Sequence, residues 1–240
     1  MYIVDWMKKS VPHFFTALNL ICGCAAILLL SKDNNSAWVI FCLFAFLFDF
    51  ADGFFARLLK TESPMGKQLD SFSDFLTSGV VPGIIMYKLL VKSGLSEKLI
   101  LPNLFYFNFY LSPISLVGFL VTIATAFRLS KFNLMENENK YFVGLPAPAN
   151  CIMIIGLPFV FEILGEKYLS FNLLLVIILV SIYLLNSKIK LVSLKNINIL
   201  ISFSLFCSIG ALVILTNYAI LTIIIFLYIL GSLIYFHSRS

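Results

Sequence analysis

The sequence predicts an all-α, polytopic membrane bundle of about eight transmembrane helices. Three observations carry that prediction. Hydrophobic residues make up 60% of the 240-residue chain and charged residues only 12%, against roughly a quarter charged in an ordinary soluble domain. Mean hydropathy is +0.99. Apolar runs of about 20 residues, the length a helix needs to cross the hydrocarbon core, recur from one end of the chain to the other.

The first span is expected at residues 12–31; Lys8 and Lys9 before it imitate a secretory signal, but the further spans favour a retained helix. The second and third are expected at 36–59 and 64–91. Ser63 is a good N-cap and Pro64 a good first helical residue, which fixes the start of the third. The remaining spans are placed at 104–130, 147–165, 169–186, 194–215 and 217–237, the last two separated only by the turn chemistry of Thr216 and Asn217. With no long polar stretch, residues 1–240 read as one membrane domain.

Charge sets the orientation. Eight spans with the N-terminus inside put 12 of the 17 Lys and Arg residues on the cytoplasmic side, the excess that the positive-inside rule requires. Both termini are therefore expected in the cytoplasm. The net charge of +5 is dispersed over short connections without a basic stripe, so no nucleic-acid partner is expected. Cys22, Cys24, Cys42, Cys151 and Cys207 lie in apolar runs, lack metal-ligand spacing, and read as reduced packing residues.

Acids in such a chain need a reason, because a carboxylate at the centre of a membrane helix costs about 2.5–3.5 kcal/mol on insertion scales. Asp49, Asp52, Asp70 and Asp74 fall within 26 residues at the facing ends of the second and third spans. Positions 49, 52 and 56 share one helical face, and 66, 70 and 74 share another. Asp52 and Asp70 each lie about 10 Å from the connecting turn at 1.5 Å per residue, so an antiparallel hairpin brings the four acids level. An oxygen-only cluster suits hard cations, Mg²⁺, Mn²⁺ or Ca²⁺, rather than zinc. Small Gly53, Ala56 and Gly66 are expected to leave room beside it. A plain alternative, salt bridging by Arg57, Lys60 and Lys67, explains neither the stripe nor the small residues on it.

The string Asp49-x2-Asp52-Gly53-x2-Ala56-Arg57-x8-Gly66-x3-Asp70-x3-Asp74 resembles the signature of the CDP-alcohol phosphotransferases. The resemblance implies two divalent metal ions and the diphosphate of a CDP-linked donor, from which an alcohol displaces CMP. It makes Asp49, Asp52 and Asp70 metal ligands, Asp74 a ligand or the general base, and Gly53, Ala56, Arg57 and Gly66 the lining of the nucleotide site. Thr16-x2-Asn19-x2-Cys22-Gly23 resembles the family's first helix, which adds Thr16 and Asn19 to the CDP-lipid site. His13, where the family usually has Asn, is given no role and is expected to be solvated at the interface.

Arg128-x2-Lys131-Phe-Asn133, followed by Phe142-x-Gly144-Leu-Pro146-x-Pro148, is similar to the bacterial and archaeal phosphatidylserine synthases, whose eight-span topology agrees with the count above. The stretch can equally be a charged helix end and a polar loop. The resemblance implies CDP-diacylglycerol and L-serine as substrates, with Arg128, Lys131 and Asn133 offering donors to the serine carboxylate. It further implies catalytic helices over about 12–155, accessory helices over about 169–237, a cytoplasm-facing active site and a homodimer. Glycerol 3-phosphate, inositol phosphate or choline as acceptor, and an ether-lipid donor, keep the same chemistry. A transporter would bring inverted repeats or broken midplane helices, neither of which is visible.

Overall fold

The computed structural model describes residues 2–32, 36–94, 99–104, 107–134, 141–192 and 217–237. Helix α1 runs Tyr2–Ser31, ten residues earlier than the apolar run alone implied, and α2 runs Ala37–Leu58. Lys60, at φ 54°, takes the left-handed conformation after α2. Thr61 N–H then closes back on the Ala56 carbonyl at 2.9 Å and Lys60 N–H on that of Arg57 at 3.2 Å, the paired bonds of a Schellman-type cap. Ser63 Oγ accepts from Gly66 N–H at 3.0 Å and starts α3 (Pro64–Asp74). Two local caps thus make the sharp hairpin on which the acids ride.

A π-helical turn, Phe75–Val80, joins α3 to α4 (Val81–Lys92), so Pro64–Lys92 is one rod with its hydrogen-bond register shifted just after Asp74. Such turns are often found at functional sites. This one touches α1, α5 and α6, which places it at the centre of the bundle.

The fourth expected span differs. Strands β1 (Leu99–Leu104) and β2 (Phe107–Leu111) pair antiparallel, Leu99 opposite Leu111. A 3₁₀ turn (Ile114–Phe119) then leads into α5 (Leu120–Leu134). Pro113 explains the late start, since a proline cannot continue a helix backwards, and a short apolar run is ambiguous between strand and helix. Strand β3 (Tyr141–Val143) precedes α6 (Ala147–Leu164); α7 (Phe171–Asn186) starts on a Ser170 cap and is followed by β4 (Lys190–Val192), which pairs with β3. The last described helix, α8, runs Ile220–His237. Asn217 Oδ1 accepts from Ala219 N–H at 2.9 Å before it, the turn chemistry expected there.

Among the described residues, five helical segments are long and apolar enough to cross a membrane: Ser10–Ser31, Ala37–Leu58, Pro64–Lys92, Ile114–Leu134 and Ala147–Leu164. Phe171–Asn186 and Ile220–Phe236 are shorter apolar helices. The expected span 194–215, and Cys207 within it, lie outside the described residues, so the described chain does not reach the count of eight.

Lipid exposure follows the helical period. On α1, Phe14, Ile21 and Leu28 are 61–67% exposed, whereas Thr16, Asn19, Cys22 and Ala26 are buried on the opposite face. The core joins Ala26, Val39, Val81, Met86, Val121, Ile154 and Ile178 from six helices. Close approach matters at Gly118, where a Cβ would come within 2.6 Å of Tyr87 N. At the α4 end, Lys92 pairs with Glu166 at 2.8 Å, which holds the exposed Glu166 carboxyl below its usual range.

Candidate active site

The hairpin brings three of the four aspartates together. Carboxylate oxygens of Asp49, Asp70 and Asp74 all lie within 4.8 Å of one another, on side chains that are half-buried. Asp49 is within hydrogen-bond reach of both other carboxyls. One oxygen of Asp70, Oδ1, is buried and has no hydrogen-bond partner. Three carboxyls clustered within 4.8 Å with an orphaned oxygen are an arrangement that lone acids avoid and a hard cation relieves, so the residues present fit a divalent metal.

Asp52 stands slightly apart. It is 5% exposed, and its Oδ2 accepts from Thr16 Oγ1 at 2.7 Å, the bond that ties α1 to α2. Ser73 Oγ reaches the Thr16 carbonyl at 3.4 Å, so α1 and α3 also meet at this level. Asn19, one turn along α1, is completely buried with neither side-chain polar atom partnered. Each such atom leaves about 1–3 kcal/mol uncompensated unless a bound molecule or water satisfies it.

The small residues behave differently from expectation. A Cβ at Gly53 would sit 3.4 Å from an Arg57 guanidinium nitrogen, and one at Gly66 would sit 3.1 Å from Ser63 Oγ and 3.3 Å from His13 Cε1. The space beside both glycines is taken by the chain's own polar side chains, which lie over the hairpin. Ala56 is half-buried and Arg57 exposed, so the guanidinium is free to turn towards an incoming anion. His13 is half-buried against Gly66 with its Nδ1 buried and unpartnered, not solvated as the sequence suggested.

Of the three residues expected at the acceptor, Arg128 alone faces the acids. Its charge interacts with Asp74, and its Nε donates to the Leu145 carbonyl just before α6. Lys131 Nζ is exposed and reaches Asn186 Oδ1 at 3.4 Å. Asn133 clamps α5 to α3: its Nδ2 donates to Ser71 Oγ at 2.8 Å, and its carbonyl accepts from Lys67 Nζ at 3.0 Å.

Two further buried polar residues, Ser78 and Asn150, have no role in the sequence reading. Ser78, in the π turn, is fully buried with an unpartnered Oγ. Asn150, in the first turn of α6, is fully buried; its Oδ1 accepts from Ser181 Oγ at 2.6 Å and its Nδ2 has no partner. Ser78 lies four residues beyond Asp74 and was findable as a continuation of the 70–74 stripe.

A helical membrane protein with an acid cluster beside an inward-facing cation has the form of a metal-assisted phosphoryl-transfer enzyme. Comparison with known proteins makes this specific. Residues 9–186 match the family model for CDP-alcohol phosphatidyltransferase, and the chain belongs to that family. A CDP-diacylglycerol–serine O-phosphatidyltransferase of Bacillus subtilis is 33% identical over 61% of this chain and 75% of its own length. An archaetidylserine synthase of Methanothermobacter thermautotrophicus is 34% identical over 60% of this chain and 56% of its own length. A Helicobacter pylori protein with the same name as the Bacillus one is 28% identical over 71% of this chain and 69% of its own. Against the relative from Mycobacterium leprae the match spans 46% of that protein.

Proposed function

We propose that this integral membrane enzyme transfers the phosphatidyl group of CDP-diacylglycerol to the hydroxyl of L-serine, giving phosphatidylserine and CMP. The observation that carries the proposal is the clustering of Asp49, Asp70 and Asp74 oxygens within 4.8 Å, beside an Arg128 whose charge meets Asp74. The relatives named for serine transfer support the acceptor.

Asp49, Asp70 and Asp74 would hold divalent metal, Mg²⁺ or Mn²⁺, with Asp52 completing the set for two ions. Bound there, the metal supplies charge neutralisation of the diphosphate and of the departing CMP oxygen. Thr16 fixes the rotamer of Asp52 through its 2.7 Å bond, the orienting role that outer residues play around ligands. Asp74 takes the proton of the serine hydroxyl as its oxygen forms the new bond to the β-phosphorus and the bond from that phosphorus to the CMP oxygen breaks. Arg57 offers its planar donor fork to phosphate oxygens. Gly53, Ala56 and Gly66 would line the nucleotide once the Arg57 and His13 side chains over the two glycines swing aside, while Thr16 and Asn19 flank the CDP-lipid from α1. Arg128 draws the acceptor carboxylate towards Asp74, with Lys131 and Asn133 at the mouth. The excess of Lys and Arg at this end of the hairpin supports a cytoplasm-facing site, and a homodimer is part of the same proposal.

A donor with ether-linked chains is a second reading, favoured by the archaetidylserine synthase match. One assay separates the possibilities. Purified enzyme with CDP-diacylglycerol or its ether analogue is offered serine, glycerol 3-phosphate, inositol phosphate or choline, and CMP release is followed. Serine alone is expected to support release; release with another acceptor and none with serine would overturn the proposal.

A further inference from the structure

The geometry points to a carboxylate-binding acceptor subsite made by Asn150 and Ser78 together with Arg128, a role for α6 and the π turn that the acid motif does not contain. This rests on the serine-transfer reading above.

Asn150 and Ser78 are each 0% exposed, and each holds one polar atom without a partner, Nδ2 and Oγ respectively. Both free valences can donate hydrogen bonds. The two residues are held on facing elements: Cys151 Sγ donates to the Thr77 carbonyl at 3.3 Å, one residue along from each. Ser181 Oγ donates to Asn150 Oδ1 at 2.6 Å. That bond uses the acceptor end of the amide and leaves the NH₂ end as the free one.

Arg128 completes the group, since its Nε is anchored on Leu145 O, five residues before Asn150, and its charge interacts with Asp74. An amide NH₂, a hydroxyl that can donate and a guanidinium, carried on adjoining elements, can all donate to one ligand. A carboxylate, acceptor-only when ionised, is the complementary ligand. An acceptor bound by its carboxylate here would present its hydroxyl towards Asp74, on the same rod as Ser78. An amino-alcohol lacking the carboxylate would leave the Asn150 and Ser78 donors buried and unpaired, the situation in which polar sites discriminate most strongly.

The test compares L-serine with L-serinamide, which keeps the hydroxyl and amine but not the charge, in wild type, Asn150→Asp and Ser78→Ala. Asn150→Asp preserves the size and the acceptor for Ser181 and replaces the free donor with an anion. Wild type is expected to favour serine over serinamide by at least about 100-fold in kcat/KM. Both variants should compress that ratio at least tenfold, mainly through the KM for serine, with the KM for CDP-diacylglycerol unchanged. Equal losses for both acceptors, or a parallel rise in the KM for the CDP-lipid, would show a merely structural role and overturn the subsite. Wild type inactive with serine would overturn the serine-transfer reading and the carboxylate subsite with it, and that arm is read without either variant.

Discussion

The wall formed by α2 and α3 presents oxygens with too few donors, whereas the wall formed by the π turn, α5 and α6 presents donors with too few acceptors. On the first, three carboxyls crowd within 4.8 Å and Asp70 Oδ1 is orphaned. On the second, Asn150 Nδ2 and Ser78 Oγ are orphaned and Arg128 reaches inward. Arg128 meets Asp74 between the walls, but Asp70 Oδ1, Asn150 Nδ2 and Ser78 Oγ stay without partners. A cation is what the first lacks and an anion what the second lacks, so the difference between them describes a metal-bound phosphate ester meeting an anionic acceptor.

The acid wall should be the more fragile in activity. Asp70→Asn is expected to lower CMP release by more than about 100-fold, beyond the 10–100-fold typical of residues that only orient a ligand. Activity within tenfold of wild type would remove Asp70 from the metal set. Thr16→Val, which strips the donor from Asp52, should cost about 10–100-fold, and Thr16→Ser should restore most of it. Failure of the serine variant to recover would mean that Thr16 acts through packing.

Packing away from either wall should register in stability instead. Gly118→Ala forces a Cβ to within 2.6 Å of the Tyr87 backbone, a clash worth about 1–3 kcal/mol. A lower melting temperature in detergent, with KM values unchanged in the folded fraction, is the expected pattern. The smallest effect falls on the rim of the donor wall. Lys131→Met should raise the KM for serine less than Arg128→Met does, and the increment should fade at high ionic strength, as screening of an exposed charge requires. An increment that persists in salt would bring Lys131 into the pocket.

The two walls also differ in how far the sequence disclosed them. The acids were legible because their i, i+3 and i, i+4 spacing lies within two adjacent helices, and Ser63-Pro64 marked where the chain turned. The donor wall draws on residues 78, 128, 150 and 181, which no local period relates. Its key signal, an amide whose one end is used by Ser181, exists only in three dimensions. Lys131 and Asn133 shared a motif with Arg128, yet α5 turns them to Asn186 and Ser71. The hairpin at 99–111 escaped because its apolar residues suit a strand as well as a helix. The spans at 36–59, 64–91 and 147–165, set by apolar length between capping or proline signals, agree with α2, the α3–α4 rod and α6.

The central claim is that the clustered aspartates hold metal to move a phosphatidyl group. Its most direct measurement is CMP release from CDP-diacylglycerol and L-serine by purified protein stripped with chelator and then titrated with Mn²⁺ or Mg²⁺, for wild type beside Asp74→Asn. The account predicts no release before metal, saturable recovery of wild type after it, and no recovery of the variant. Release that survives chelation, or a variant that recovers as wild type does, would contradict it.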